Sequence, residues 1–226
     1  MLHEDILLLA LDDETGVVPF GSMYQYGMAG GIVTELVLSR RITLTKQKKS
    51  MLVDVVKATQ TGDPLLDEVL ERMRTAKRRA SLQTWISRIA QTRKLQARVA
   101  ARLRDRGVLR SEEGRVLLFF RRTTWPTQNP APEHDLVERI REAIRGDGVV
   151  DGRTATIIAI AKSCDLLKLH MEKSELKARK QRIDDIVSGN VVGEAAREAI
   201  EAVQAAMIAT SAAITAATTA ATIVNT

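Results

Sequence analysis

Aromatic side chains are scarce in this chain: two Trp, two Tyr and three Phe among 226 residues. Ala, Leu, Ile and Val must therefore do the packing, and that composition favours helices. Cysteine occurs once, at Cys164, which excludes an internal disulfide and leaves the fold independent of an oxidising compartment. Cys164 is expected to pack as a small hydrophobe rather than to react. The three histidines, His3, His134 and His170, lie far apart with no ligand-spaced companion, so no metal site is expected. A glycine-rich phosphate loop is missing, because Gly27-Met28-Ala29-Gly30-Gly31 falls inside an apolar helical pattern and lacks a following Lys-Ser/Thr. No nucleophile elbow occurs either. Asp12, Asp13 and Glu14 read as a solvated acidic turn rather than a catalytic carboxylate cluster. An enzymatic reading is left without support, no catalytic residue is assigned, and no cofactor is expected.

An ordinary membrane span is also absent ahead of the C-terminus. No charged residue follows Glu201, but that tail is built of Ala and Thr rather than Leu and Phe, so its insertion energy should lie near neutral. A docked or buried helix over about 194–224 is the expected state, ahead of insertion or fraying. The first residues, Met-Leu-His-Glu-Asp, place acid where a secretion signal needs base, so a cytoplasmic protein is expected.

What the chain does have is focused positive charge. Its net charge is +6 and its pI near 9.7, which suits an anionic partner. Residues 88–122 alone hold eleven basic and three acidic side chains, a net +8, so the remaining residues sum to about −2. Leu95, Val99 and Leu103 form an i, i+4, i+8 apolar row, with Arg98, Arg102 and Arg106 as the adjacent row. Asp105 is the only acid in that helix, so most of these arginines are expected to lack a local partner. The segment ends in Val116-Leu117-Leu118-Phe119-Phe120. Alternation puts Arg115, Leu117, Phe119 and Arg121 on one strand face and Val116, Leu118, Phe120 and Arg122 on the other. One apolar face can pack on the domain. The other is then left to meet a second copy or to insert shallowly into a membrane, unless the whole element is used in the core.

The pattern along the chain predicts an all-α fold: a single helical-bundle domain over 1–226 with peripheral amphipathic helices and two short β-hairpins. An apolar run covers 4–11, and a helix covers Met23–Arg40, with Gly27, Gly30 and Gly31 allowing close approach of another element. Strands are expected at Ile42–Thr45 and Met51–Lys57. Asp63 is the expected N-cap of a helix with Pro64 in its first position. Helices follow over Ser81 to about Ala90, carrying Trp85, and from about Arg93 to Arg106, closed by Gly107. Val108–Arg110 and Arg115–Phe120 are expected to pair around Ser111–Gly114. Trp125–Pro132 reads as a linker, and helices are expected at 134–145, 153–169 and 173–187.

Several segments, in order, resemble the Golgi phosphoprotein 3-like family. They are Asp5-Ile6-Leu7-Leu8-Leu9-Ala10-Leu11 with its acidic turn, Gly30-Gly31-Ile32-Val33-Thr34-Glu35-Leu36, and Thr61-Gly62-Asp63-Pro64-Leu65-Leu66-Asp67-Glu68. Then come Trp85-Ile86, Gly107-Val108-Leu109 with the Leu117-Leu118-Phe119 hairpin, and Thr123-Thr124-Trp125-Pro126. Ser163-Cys164-Asp165-Leu166-Leu167 is a weaker match. The resemblance implies a helical bundle with peripheral hairpins and no catalysis. It also implies a cytosolic, peripheral Golgi membrane protein that binds phosphatidylinositol 4-phosphate and recognises cytoplasmic tails of glycosyltransferases. The hairpin corresponding to Glu112–Thr123 is implied to serve self-association and membrane contact.

The family's lipid pocket uses a Trp, an Arg just before the Gly-Gly pair, and two Arg three residues apart. This chain departs from it with Ala29 before Gly30-Gly31, no Trp near Phe20-Gly21, and Gln96 where the second later Arg is expected; Arg93 matches. Lys94 and Arg98 lie close enough to substitute. These departures and the Ala/Arg-rich composition are those expected of a bacterial relative.

The reading from sequence is a peripheral protein that binds anionic phospholipid headgroups through Arg93, Lys94, Arg98 and Arg102. Leu117, Leu118, Phe119 and Phe120 would provide membrane contact or homo-oligomerisation, and cytoplasmic tails of membrane proteins are the expected clients. The alternative is a protein–protein adaptor without lipid binding. A nucleic-acid module is the weakest reading: Met23–Arg40 followed by Arg40-Arg41 and a Lys-rich hairpin has winged-helix character, but it offers no run of polar side chains to read bases.

Overall fold

Two helices are buried on nearly every side, and the rest of the chain covers them. The computed structural model describes residues 1–19, 23–48, 50–116, 120–192, 205, 208, 209, 211, 212, 214 and 215, with the side chains of 115–122 left aside. Its helices are α1 (Leu2–Leu8), α2 (Met23–Leu38), α3 (Pro64–Arg74), α4 (Leu82–Ala90), α5 (Leu95–Asp105), α6 (Ala131–Arg145), α7 (Gly152–Ser163), α8 (Leu167–His170), α9 (Lys173–Ala178) and α10 (Lys180–Val187). Two antiparallel hairpins complete it: β1 (Ile42–Gln47) with β2 (Ser50–Val55), and β3 (Glu112–Val116) with β4 (Phe120–Thr124). The architecture is the all-α one with two peripheral hairpins that the sequence predicts.

The buried pair is α2 and α7. Every residue from Gly27 to Thr34 and from Thr154 to Ala161 is buried, as expected of helices that are apolar all round. α1 packs on both, while α3 and α4 lie on α2, and α6 and α10 on α7. α5 lies on α1. The glycines of α2 permit this. A Cβ on Gly31 would stand 2.9 Å from the backbone nitrogen of His3, and one on Gly27 would stand 2.9 Å from Cys164 Sγ. Cys164 is the small packing residue expected, its thiol pushed up to about 12 by burial and then by Asp165.

Several boundaries differ from expectation. Among the described residues, Val108–Arg110 does not pair with Arg115, Val116 or Phe120. It meets the segment after the second hairpin instead, with Arg110 N–H donating to Pro126 O and Gln128 N–H to Val108 O, both at 2.9 Å. Ser111–Gly114 is therefore no turn: Glu112, Glu113 and Gly114 belong to β3 and pair with Thr124, Thr123 and Arg122. This is the extent the family resemblance implies, and the turn-like Glu-Glu-Gly composition is overridden by tertiary pairing.

The first hairpin is tighter than expected, with Gln47 opposite Ser50. The predicted 153–169 helix is broken after Ser163, where Asp165 takes a left-handed φ of 60°. The 125–132 linker is pinned, since Trp125 N–H donates to Gly16 O and Thr127 N–H to Asp13 O. A side chain at Gly16 would collide with the backbone of Trp125 and Pro126, and its φ is +61°. Of the expected 194–224 helix, residues 205, 208, 209, 211, 212, 214 and 215 are helical, and the rest lies outside the described residues. Among the described residues no helix is long and apolar enough to cross a membrane.

Candidate functional site

The site is organised by how α5 is seated. Leu95, Val99 and Leu103 are buried, which turns the arginine row of α5 along the neighbouring α1 and α3. α4 ends at Ala90, and Leu95 N–H donates to Thr92 O at 3.1 Å across the tight turn that begins α5. Lys94 caps the helix at φ 57°, a left-handed conformation that costs a non-glycine residue about 1–2 kcal/mol. Arg93 and Lys94 are both exposed, and among the described residues neither side chain has a hydrogen-bond or ion-pair partner.

The arginines further along the helix are engaged. Arg98 Nη2 lies 2.6 Å from Glu68 Oε2 of α3. Arg102 stands 3.4 Å from Glu4 Oε1 of α1 and 3.1 Å from Oδ2 of Asp63, the N-cap of α3. Arg106 Nη1 reaches Glu4 Oε2 at 2.7 Å, and Arg104 pairs with Asp105. The row has no partner within its own helix, as expected, but it is neutralised from outside it. The helix itself supplies only Asp105, but α1 and α3 supply three more carboxylates.

These pairs differ in kind. Glu68 and Arg98 are both more than a third exposed, and such a pair is worth at most about 1 kcal/mol, so Arg98 can exchange its carboxylate for another anion. Glu4 and Asp63 are 1% exposed. Withdrawing Arg102 would leave two buried carboxylates undercompensated, at a cost of about 3–5 kcal/mol. Asp63 also accepts from Leu65 N–H at 2.8 Å and Leu66 N–H at 3.2 Å. Burial raises its pKa, but His3 and these two amides outweigh that and hold it down at about 2. The His3 contact, Nε2 to Oδ2 at 3.4 Å, lies at the outer limit for a hydrogen bond.

Glu4, Asp63 and Glu68 are the functional partners that sequence reasoning missed. One signal was available: an acid inside a buried apolar run such as 2–11 needs a countercharge from elsewhere.

At the positions that the resemblance assigns to pocket arginines, this chain has a different arrangement. Ala29 is fully buried in α2. Gln96 Oε1 accepts from the hydroxyl of Tyr24 at 3.0 Å, so the position is held by a neutral tyrosine–glutamine pair. Phe20 and Gly21 lie outside the described residues, as do Leu117, Leu118 and Phe119. The backbone of Phe120 pairs with Val116. Of the sequence-predicted headgroup residues, Arg93, Lys94 and Arg98 share the exposed start of α5, and Arg102 faces the buried carboxylates.

The acidic turn has its own buried neighbour. Glu133, in the first turn of α6, is 8% exposed. Its pKa is pushed up to about 8 by burial and then by Asp13. Asp13 in turn accepts from Thr127 Oγ1 at 2.6 Å. The two Thr127–Asp13 hydrogen bonds fasten the linker to the turn. Among the described residues no group of three His, Cys, Asp or Glu is placed to hold a metal ion.

A sequence profile of the family described as Golgi phosphoprotein 3 (GPP34) matches residues 2–203. The chain is also similar to vacuolar protein sorting-associated protein 74 of Schizosaccharomyces pombe, with 28% identity over 182 residues, covering 72% of this chain and 50% of that protein. It thus spans about half the length of the curated relative it matches.

Proposed function

Because the chain belongs to the Golgi phosphoprotein 3 family, we propose that it is a non-enzymatic peripheral membrane adaptor that docks on anionic phospholipid headgroups from the cytoplasmic side and holds cytoplasmic tails of membrane proteins there. The observation that carries this reading is the Arg93–Lys94 turn, two exposed cations without a carboxylate partner among the described residues. Arg98 joins them by releasing Glu68. Arg102 stays with Glu4 and Asp63 and positions the helix rather than touching lipid.

Each basic residue near an anionic surface contributes about 1 kcal/mol, so Arg93 and Lys94 together enrich the protein about 30-fold at the membrane. Firm attachment needs more than this. The apolar residues Leu117, Leu118, Phe119 and Phe120 are proposed to add shallow burial or to pair two copies and so multiply the contact. With Ala29 and the Tyr24–Gln96 pair in the family pocket, recognition is proposed to follow surface charge more than headgroup identity, and to weaken with salt.

Co-sedimentation with neutral vesicles, phosphatidylglycerol/cardiolipin vesicles, and vesicles doped with phosphatidylinositol 4-phosphate at matched charge tests this. Comparable binding to all acidic vesicles is the expected result. Preference for the phosphoinositide would mean that the pocket is rebuilt from other residues. Binding to none would leave an adaptor without lipid contact, a reading favoured by the internal neutralisation of Arg98, Arg102 and Arg106.

A further inference from the structure

A second concentration of positive charge lies between the C-terminal end of α3, the 76–80 loop and α4. Arg72, Lys77, Arg78 and Arg88 line a cleft of about 530 Å³ together with Trp85, and no carboxylate is among its lining residues. Two of the four cations are held in place. Arg72 Nη1 donates to Thr92 Oγ1 at 3.0 Å, and the guanidinium of Arg88 sits 5.0 Å from the centre of the Trp85 ring, within cation–π range. Lys77 and Arg78 are exposed, and among the described residues neither has a hydrogen-bond or ion-pair partner. Their sequence neighbours differ in this respect: Arg74 is paired with Glu71 and Arg79 with Asp54.

Like charges gathered around a concavity, some fixed before any ligand arrives, repel one another unless an anion joins them. Two anchored guanidiniums lose little conformational freedom on binding and present planar forks that suit phosphate oxygens. We propose that this cleft binds a phosphomonoester, at a site separate from the Arg93–Lys94 turn and independent of the membrane reading above. A phosphomonoester brings close to two negative charges at neutral pH where a phosphodiester brings one, and four cations with no lining acid favour the former. The volume accommodates a phosphate with a small polyol attached. Base stacking does not suit the cleft, because Trp85 is only 4% exposed and Arg88 already covers its ring. The ligand is therefore recognised by its phosphate rather than by an aromatic base.

The phosphate could arrive on a soluble metabolite or on a lipid headgroup, and two arms separate these sources. The first titrates glucose 6-phosphate, with glucose as the blank, into the full chain and follows tryptophan fluorescence. The second compares vesicles containing phosphatidic acid, a phosphomonoester lipid, with phosphatidylglycerol vesicles of matched charge. The variants are K77A/R78A, the charge-matched control K173A/K177A on the exposed face of α9, and R93A/K94A. Saturable binding is expected in at least one arm, weakened about tenfold or more by K77A/R78A. K173A/K177A is expected to leave it within about twofold, as should R93A/K94A in the soluble arm. Response to glucose 6-phosphate identifies a metabolite, and preference for phosphatidic acid without that response identifies a headgroup. Failure of both arms to saturate would overturn the proposal, as would equal weakening by K77A/R78A and K173A/K177A. Neither result would touch the Arg93–Lys94 reading, whose own variant is tested on phosphatidylglycerol vesicles.

Discussion

Arg93 and Arg102 belong to one basic segment yet stand in opposite electrostatic situations. Arg93 is exposed at a turn with no partner among the described residues, whereas Arg102 bridges Glu4 and Asp63, two carboxylates withdrawn from water. The difference shows that a local excess of charge measures potential, not availability. Partners drawn from α1 and α3 convert most of the arginine row into an internal clamp. Among the described residues of the segment, Arg93 and Lys94 keep side chains without a carboxylate partner.

The strongest way to break this comparison is to reverse the clamped residue. R102E would set a third carboxylate against Glu4 and Asp63 and is expected to destabilise the fold by about 3 kcal/mol or more. Urea unfolding measures this directly, and a wild-type midpoint would remove the clamp from the account. R93A/K94A should do the reverse, reducing partition onto phosphatidylglycerol vesicles about 30-fold while stability changes by less than about 0.5 kcal/mol. A variant that melts early would show that the turn is structural.

Glu133 sharpens the contrast from the acid side. Glu4 is buried against two arginines and ionised, whereas Glu133 is buried beside Asp13 with its pKa raised from 4.5 to about 8. A carboxyl with a raised folded-state pKa contributes stability that is complete below its ordinary value and is lost as pH rises through about 8. Melting temperature should therefore decline as pH rises from about 4.5 to about 8 in the wild-type protein and decline less in E133Q. Parallel curves would contradict the assignment. The smallest effect belongs to E68A, which frees Arg98. Its stability should fall by no more than about 1 kcal/mol, and its binding to acidic vesicles should rise slightly, since one more cation is released.

Much of the fold was legible in local chemistry. Asp63 caps α3 ahead of Pro64, Gly107 closes α5 with φ +72°, and the glycines of α2 receive α1 and Cys164 as their spacing predicts. These features depend on a few adjacent residues or one helix face. The second hairpin was misread because Glu112, Glu113 and Gly114 have turn composition, while their conformation is set by pairing with β4. The long 153–169 helix was misread because nothing in Asp165 forbids a helix, although the chain turns there with φ 60°.

The candidate site was legible only in part. Its basic residues stand out in the sequence, but Arg102 and Glu4 are 98 positions apart, as are no neighbours that periodicity can reveal. The cleft residues Arg72, Lys77, Arg78 and Arg88 come together from three segments and carry no shared motif.

The most direct test of the central claim is co-sedimentation of R93A/K94A and R98A, side by side, with phosphatidylglycerol vesicles across a salt series. Attachment through the unpaired turn predicts that R93A/K94A loses most of its binding and of its salt dependence, while R98A loses only a few-fold, on the order of the 1 kcal/mol expected for one cation. Equal losses, or a greater loss in R98A, would contradict it and return the paired arginine row to the membrane.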